Sequence, residues 1–129
     1  MGIVVGFDEG RKTVLASLDG VLNESVLADL TAAIRSVVQS QTPSAIIVDL
    51  SGITSFEISN QAVRSIARTP STASTEIERI VIAPQNHIYG VTRMFQAYAD
   101  GNRPNVHVMR SLEEAYKYLA SKERHKHSA

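Results

Sequence analysis

Apolar residues along this chain come in two patterns, short runs with strand character and longer stretches with three- and four-residue steps, and their succession lays out the architecture. Ile3 to Asp8 is β-rich, Glu9-Gly10-Arg11 offers a glycine-containing turn, and Thr13 to Leu18 resumes strand character, which predicts a hairpin. Asp19-Gly20 breaks the second strand. Asn23 then reads as a helix N-cap with Glu24 suited to the helix dipole. Val26, Leu27, Leu30, Ile34, Val37 and Val38 line one face of that helix, which should end near Gln39 to Gln41, because the residue before Pro43 is pushed out of the helical region.

The run Ala45-Ile46-Ile47-Val48 is apolar without alternation, the mark of a strand covered on both faces in a parallel sheet, and Asp49 ends it. Leu50 to Glu57 is dense in hydroxyls and reads as a loop at the carboxyl end of the strand, where open parallel sheets bind ligands and partners. Ser59 or a near neighbour begins a helix with an apolar stripe of Ala62, Val63, Ile66 and Ala67, stopped by Thr69-Pro70. After a polar connection, Ser71 to Thr75, Ile77 and Arg79 to Ala83 read as a buried strand closed by Pro84. Asn86 caps a helix carrying Ile88, Val91, Met94, Phe95 and Tyr98, which Asp100-Gly101-Asn102 and Pro104 end. Val106 to Met109 is a last strand. Ser111-Leu112-Glu113-Glu114 has the form of a capping box and opens a helix to about Lys122 that buries Leu112, Ala115, Tyr116 and Leu119.

Strands alternating with helices require mostly parallel pairing with right-handed crossovers, and the first hairpin supplies the antiparallel part. The expected fold class is α/β: a single layered domain over 1–121 with a mixed five-stranded sheet and about four helices in the order β-β-α-β-α-β-α-β-α, followed by a mobile polar tail over 122–129.

Composition alters this picture by exclusion. A chain of 129 residues at 43% hydrophobic content can bury one core. Lys plus Arg equal Asp plus Glu at 13 each, so no overall field recruits nucleic acid or an anionic membrane. The absence of cysteine removes disulfides, thiolate metal sites and cysteine nucleophiles, and suits a reducing cytoplasm. No apolar run nears the ~20 residues a membrane span needs, and Met1 to Val5 lacks the charged start of a signal peptide. A cytoplasmic location without a membrane span is expected.

Little in the sequence assembles a catalytic or cofactor site. His87, His107, His125 and His127 are too scattered to converge on a metal, so none is expected. Gly52 stands alone where a phosphate loop would need spaced glycines, and neither the Rossmann nor the Walker pattern is present, so no cofactor is expected. Ser59, between Ile58 and Asn60, lacks the glycine flanks of a hydrolase elbow. Asp49 and Glu57 are the carboxylate pair of the loop region, with no second catalytic group beside them; an aspartate at a strand end suits bonds to loop amides. Tyr89, Arg93, Phe95 and Tyr98 combine aromatic and basic character but lack a surrounding basic patch, and read as core and rim of the third helix. Gly90, in the first turn of that helix, fits close packing against a neighbour or ligand. These residues give no grounds for an enzyme.

The order of elements and three stretches together resemble a STAS domain, the fold of bacterial anti-sigma-factor antagonists, and particularly the STAS-like group of small single-domain proteins. Leu18 to Asn23 is similar to the family's glycine-x-leucine-aspartate lead into its first helix; Ile46-Ile47-Val48-Asp49-Leu50-Ser51-Gly52-Ile53-Thr54 is close to its central strand and loop; and Val106 to Leu119 is similar to its last strand and helix. Antagonists of the family usually continue the loop with aspartate, serine, serine, glycine, and a partner kinase generally phosphorylates the second serine. Here that register reads Glu57-Ile58-Ser59-Asn60, so the acid is kept in kind and Ser59 falls at the acceptor position, while Ile58 and Asn60 replace small residues. Ser59 is thus either a phosphoacceptor or simply the N-cap of the second helix. Arg79 to Ala99 resembles the matching segment of STAS-like proteins that keep the fold without the switch serine, which implies a binding scaffold and no catalysis.

The resemblance implies a non-enzymatic regulatory interaction module that meets a protein partner, an anti-sigma factor or kinase-like regulator, or a second copy in a homodimer. Ser51, Thr54, Ser55, Glu57, Asn60, Arg64, His87 and Arg93 are the expected binding residues, with Arg64 and Arg68, one turn apart, serving either as a basic edge for an acidic partner or for solubility alone. The alternative is a small ligand, apolar and lipid-like or a nucleotide, with an apolar one held between the third helix and the sheet by Ile88, Val91, Met94 and Phe95.

Overall fold

A computed structural model describes residues 2–68, 77–99 and 106–128, with the side chains of 66–68, 99 and 123–128 outside that description. The side chains of the expected stripe residues Ile66 and Ala67, of Arg68 and of His125 and His127 therefore lie outside the description, and the stop at Thr69-Pro70, the Ser71 to Thr75 connection and the terminator at Asp100-Gly101-Asn102 and Pro104 lie outside the described residues. The elements are β1 (Gly2–Asp8), β2 (Thr13–Leu22), α1 (Glu24–Gln41), β3 (Ala45–Phe56), α2 (Asn60–Arg68), β4 (Glu78–Ile82), α3 (Asn86–Ala99), β5 (Val106–Met109) and α4 (Leu112–Ser128). They form the expected α/β arrangement, a mixed five-stranded sheet in the order β1-β2-β3-β4-β5. The β1–β2 hairpin is antiparallel; β2–β3, β3–β4 and β4–β5 are parallel.

Because sheet order follows chain order, right-handed crossovers place successive helices on one face. Leu30 of α1, Val63 of α2 and Ile88 of α3 accordingly share one apolar cluster with Ala16, Leu18, Leu50 and Ile53 of the sheet. A second cluster on α1 joins Val14, Ile46 and Ile77 to Ile34, Val37 and Val38. Among the described residues α4 alone covers the opposite face, packing Ala115 with Leu112, Tyr116 and Leu119 against Ile47, Ile80 and Ile82. The helical stripe of α1 and the two-sided burial of β3 were both legible: Ile46 points to one cluster and Ile47, fully buried, to the other.

Local chemistry sets the element ends. Asn23 caps α1, its Oδ1 accepting from the Val26 amide at 2.9 Å. Thr42 closes the same helix in the left-handed region at φ 46°, with its amide on the Val38 carbonyl at 3.2 Å. Ser111 Oγ accepts from the Glu114 amide at 3.1 Å, the serine half of the expected box. At the hairpin, Asp8 accepts from the Arg11 amide and guanidinium at 3.2 and 3.1 Å, which holds its carboxyl below the usual range. α4 runs on to Ser128, so the tail expected from 122 onward continues the helix.

The largest departure is at β3. The expected loop of Leu50 to Glu57 is, as far as Phe56, strand: β3 runs twelve residues and pairs Gly52, Ile53, Ser55 and Phe56 with Asp19, Gly20, Val21 and Leu22. The predicted break at Asp19-Gly20 is likewise a register shift inside a β2 that extends to Leu22. Two glycines permit this. Gly20 has φ 90°, which bends β2 at the shift. Gly52 lies so close to β2 that a Cβ there would fall 2.0 Å from Asp19 Oδ1 and 3.1 Å from the Leu18 carbonyl oxygen. Leu50 and Ile53 then turn into the core while Ser51 and Thr54 face solvent, so the hydroxyls decorate a strand edge.

Candidate functional site

The carboxyl end of the sheet gathers most of the residues expected to bind. β3 leaves the sheet at Phe56, and the Glu57 amide still reaches back to the Leu22 carbonyl at 2.8 Å. Ile58 turns inward, 8% exposed, and joins the same cluster as Val63. It stands just before the cap and Val63 in the first turn after it, the spacing of a hydrophobic staple that fixes how the chain enters α2. Ser59 between them is exposed. Its Oγ accepts from the Ala62 amide at 3.1 Å and its carbonyl from the Val63 amide at 2.9 Å, so Ser59 is the N-cap of α2.

Around it, Ser55 Oγ donates to Glu57 Oε2 at 3.0 Å, and the Ser51 amide donates to Asp49 Oδ1 at 2.9 Å. Asp49 thus serves the backbone, as its position at the strand end suggested. His87, from the first turn of α3, meets Phe56 edge to face at 6.4 Å between ring centroids. Asn60 opens α2 in an exposed position. Arg64 and Arg93 do not join this cluster. They lie farther along the helices, where Arg64 donates to Tyr98 Oη at 3.2 Å and Arg93 to Gln96 Oε1 at 2.9 Å. Gly90 does not make the close approach that sequence suggested: it is exposed, with nothing within 4 Å of a Cβ built on it. Ile88 is buried in the core, and Val91 and Phe95 pack against the same cluster, so three of the four residues expected to line an apolar site spend their side chains on the sheet.

Two residues were missed. Gln85 turns its amide back over β3, Nε2 donating to the Ser51 carbonyl at 3.1 Å, with the Leu50 and Ile53 carbonyls each at 3.4 Å. That ties the start of α3 to the strand end that leads to Ser59. Gln85 also supplies the carbonyl for the first turn of α3, accepting from the Tyr89 amide at 2.8 Å, and so stands where Asn86 was expected to cap. Asn86 is instead inside the helix, and its Oδ1 accepts from Arg110 at 2.8 Å. Arg110, in the short β5–α4 connection, also donates to the Pro84 carbonyl at 3.1 Å and lies 3.8 Å above the Tyr89 ring. No local pattern marks Arg110, since its partners all come from the β4–α3 segment.

A second polar cluster sits at the other end of the sheet, under α4. Glu78 opens β4 and is 7% exposed. Its Oε1 accepts from Tyr118 Oη at 3.0 Å and from Lys122 Nζ, while Oε2 makes no hydrogen bond and has His107 Nε2 3.4 Å away. His107 Nε2 is also 3.1 Å from Tyr118 Oη. Tyr118 has one hydroxyl proton and it goes to Glu78, so Nε2 of His107 carries a proton and donates to the phenol oxygen. Burial pushes the Glu78 carboxyl up, but the hydrogen bonds from Lys122 and Tyr118 outweigh it and hold the group below its ordinary value. Burial and the Glu78 charge push Tyr118 up, and the bond to Glu78 raises Lys122. This cluster pins α4 to β4 and β5, with its charges consumed by one another.

Among the described residues no three His, Asp or Glu side chains converge on a point where a metal would bind, and no helix is long and apolar enough to cross a membrane. No family model and no curated protein matches the chain. Its fold is nonetheless similar to solved structures. One is an anti-sigma factor antagonist from Mycobacterium paratuberculosis, at TM-score 0.58 and 17% identity, covering 92% of this chain and 95% of that one. Another is the Bacillus cell fate determinant SpoIIAA in its phosphorylated form, at TM-score 0.52 and 17% identity, covering 92% of this chain and 99% of that one. The chain has a STAS-like fold.

Proposed function

We propose that this protein is a non-enzymatic regulatory module that docks a protein partner at the carboxyl end of its sheet, and that Ser59 is the position at which the docking is switched. One observation carries the reading: Ser59 is exposed at the first turn of α2, its hydroxyl engaged only as a cap and its backbone fixed from both sides by buried Ile58 and Val63. The similar structures include an anti-sigma factor antagonist and a phosphorylated cell fate determinant, which favours a partner of the anti-sigma or kinase type.

The geometry says what phosphorylation would do. A phosphate on Ser59 adds nearly two negative charges at a helix N-terminus, where the α2 dipole favours them, so the helix stays folded. The change falls on the surface: Glu57 is close in sequence and already negative, and the partner meets a locally repulsive patch in place of a neutral hydroxyl. The Ser55–Glu57 bond keeps that carboxylate at the edge of the patch.

The test is co-purification of a partner with the wild-type chain, followed by binding of that partner to Ser59→Ala and Ser59→Asp. Retained binding by Ser59→Ala and a loss of roughly tenfold or more by Ser59→Asp support the switch. Unchanged binding by Ser59→Asp refutes it.

A further inference from the structure

We infer that the solvent face of α2 and α3 is a docking surface for an acidic protein segment. This rests on the partner-binding reading above and adds to it the chemistry of the partner.

The first observation is where carboxylates are missing. The chain balances 13 acids against 13 Lys and Arg, yet α2 (NQAVRSIAR) and α3 (NHIYGVTRMFQAYA) contain no Asp or Glu. α1 and α4 both carry acids in their first turn, where the dipole makes them stabilising; α2 and α3 go without that stabilisation. Local helix stability therefore does not explain the composition. A surface that must stay free of negative charge does.

The second observation is how the arginines are held. Arg64, Arg93 and Arg110 are exposed, and among the described residues every partner each one has is neutral: Tyr98 Oη at 3.2 Å for Arg64, Gln96 Oε1 at 2.9 Å for Arg93, and the Pro84 carbonyl and Asn86 Oδ1 at 3.1 and 2.8 Å for Arg110. Arg64 and Arg110 also lie over the Tyr98 and Tyr89 rings, at 5.0 and 3.8 Å. Elsewhere among the described residues, Arg11, Lys117 and Lys122 are each paired with a carboxylate, while Lys12 and Arg35, which make no ion pair there, stand apart on the hairpin turn and on α1. The three guanidinium groups of this face are thus fixed in position without being neutralised, which lowers the ordering entropy that a carboxylate-bearing partner must overcome.

Their arrangement is a saddle. Tyr89, Arg93 and Gln96, at helical steps of four and three, line one flank of α3 with Arg110, and Tyr98 with Arg64 lines the other. Exposed Gly90 and Ala97 lie between, and nothing stands within 4 Å of a Cβ placed on Gly90. A chain crossing the helix there meets guanidinium groups on both sides.

A protein segment fits this face better than nucleic acid. A nucleic-acid backbone is tracked by a run of cations with aromatic faces open for stacking, whereas here the Tyr89 and Tyr98 rings are already covered by Arg110 and Arg64 and the chain carries no net charge. Carboxylates suit the planar guanidinium fork.

The experiment is an amide NMR titration of the full chain with an acidic peptide of alternating glutamate and alanine, in parallel with an oligothymidylate of equal charge. Expected are shifts confined to residues around Arg64, Tyr89 to Ala97 and Arg110, an affinity that falls roughly tenfold from low to physiological salt, and a loss of roughly tenfold or more in R64Q/R93Q/R110Q. R64Q/R93Q leaves the bonds of Arg110 intact and should lose several-fold, and K117Q should lose nothing. Shifts absent from this face, binding unaltered in both arginine variants, or an oligothymidylate that binds as tightly as the peptide would each overturn the inference. A partner identified through Ser59 that binds R64Q/R93Q/R110Q as well as wild type refutes the acidic-partner chemistry and leaves the docking module standing. A peptide that binds here while Ser59→Asp changes nothing refutes the Ser59 switch and leaves the acidic-partner chemistry standing.

Discussion

Replacing Tyr118 with phenylalanine deletes one oxygen from the cluster that fastens α4, and the size of the effect follows from what that oxygen does. It donates to a buried carboxylate at 3.0 Å and accepts from His107 Nε2 at 3.1 Å. A hydrogen bond to a charged group contributes about 1.5–3 kcal/mol, and the loss leaves the ring nitrogen without its acceptor, so about 2 kcal/mol is expected for Tyr118→Phe. In a chain of this length that lowers Tm by about 8 °C. Lys122 serves as the contrast. Its side chain is 55% exposed, so its ion pair with Glu78 is screened by water, and Lys122→Met should lose only about 0.5 kcal/mol.

The pH dependence separates this account from a simple packing loss. Glu78 titrates below its ordinary 4.5 in the folded chain, so the unfolded state takes up the proton first as pH falls. Its contribution is complete above that value and is lost below it. Tyr118 and Lys122 are both raised, so theirs is complete below 10.0 and disappears as pH rises through their folded values. The difference between wild type and Tyr118→Phe, read from urea unfolding across the acid range, should therefore be full at neutral pH and shrink once Glu78 protonates. A difference that stays constant through the acid titration would refute the charge-based reasoning.

Gly52→Ala should lose about 2 kcal/mol by urea unfolding, since its methyl must displace Asp19; Asp19→Ala in the same chain should recover only part, because the Leu18 carbonyl still stands 3.1 Å away. Asn23→Ala should lose about 1 kcal/mol by the same measurement through the bare Val26 amide, and Asn23→Asp should restore most of it. Thr42→Gly should raise stability by about 0.5 kcal/mol, because relief of the left-handed strain at φ 46° exceeds the entropy that glycine adds to the unfolded chain. A fall in the urea midpoint would show that Thr42 is not strained there.

The fold was legible because its signals are local. Apolar steps along α1, the unbroken run at Ala45 to Val48 and the caps at Asn23, Ser59 and Ser111 each need only a few neighbouring residues to be read. β3 was misjudged beyond Asp49 because hydroxyls and a glycine there resemble a loop in isolation. What makes them strand is the approach of Gly52 to Asp19, a contact between segments that are distant in sequence. Ser59 could be placed as a cap from propensity. The roles of Gln85 and Arg110 could not be, since both bond mainly to residues two dozen or more positions away. The lesson for Arg64 and Arg93 is different: their exposure was foreseen, but not that their partners would all be neutral.

The coincidence of chain order with sheet order has a consequence for how the molecule is made. Every strand after β1 docks beside the strand synthesised just before it, so a growing chain always presents one finished edge, and each closure spans only the hairpin turn or a single helical connection. Assembly can then proceed from the amino end in βα increments without waiting for distant sequence. The exception is the α4 face, where Ile47 and Ile80 are exposed from the moment their strands pair until the final helix arrives. While that face is uncovered it presents apolar strand surface to other chains, and the Glu78 fastening is among the contacts that hold the covering helix in place.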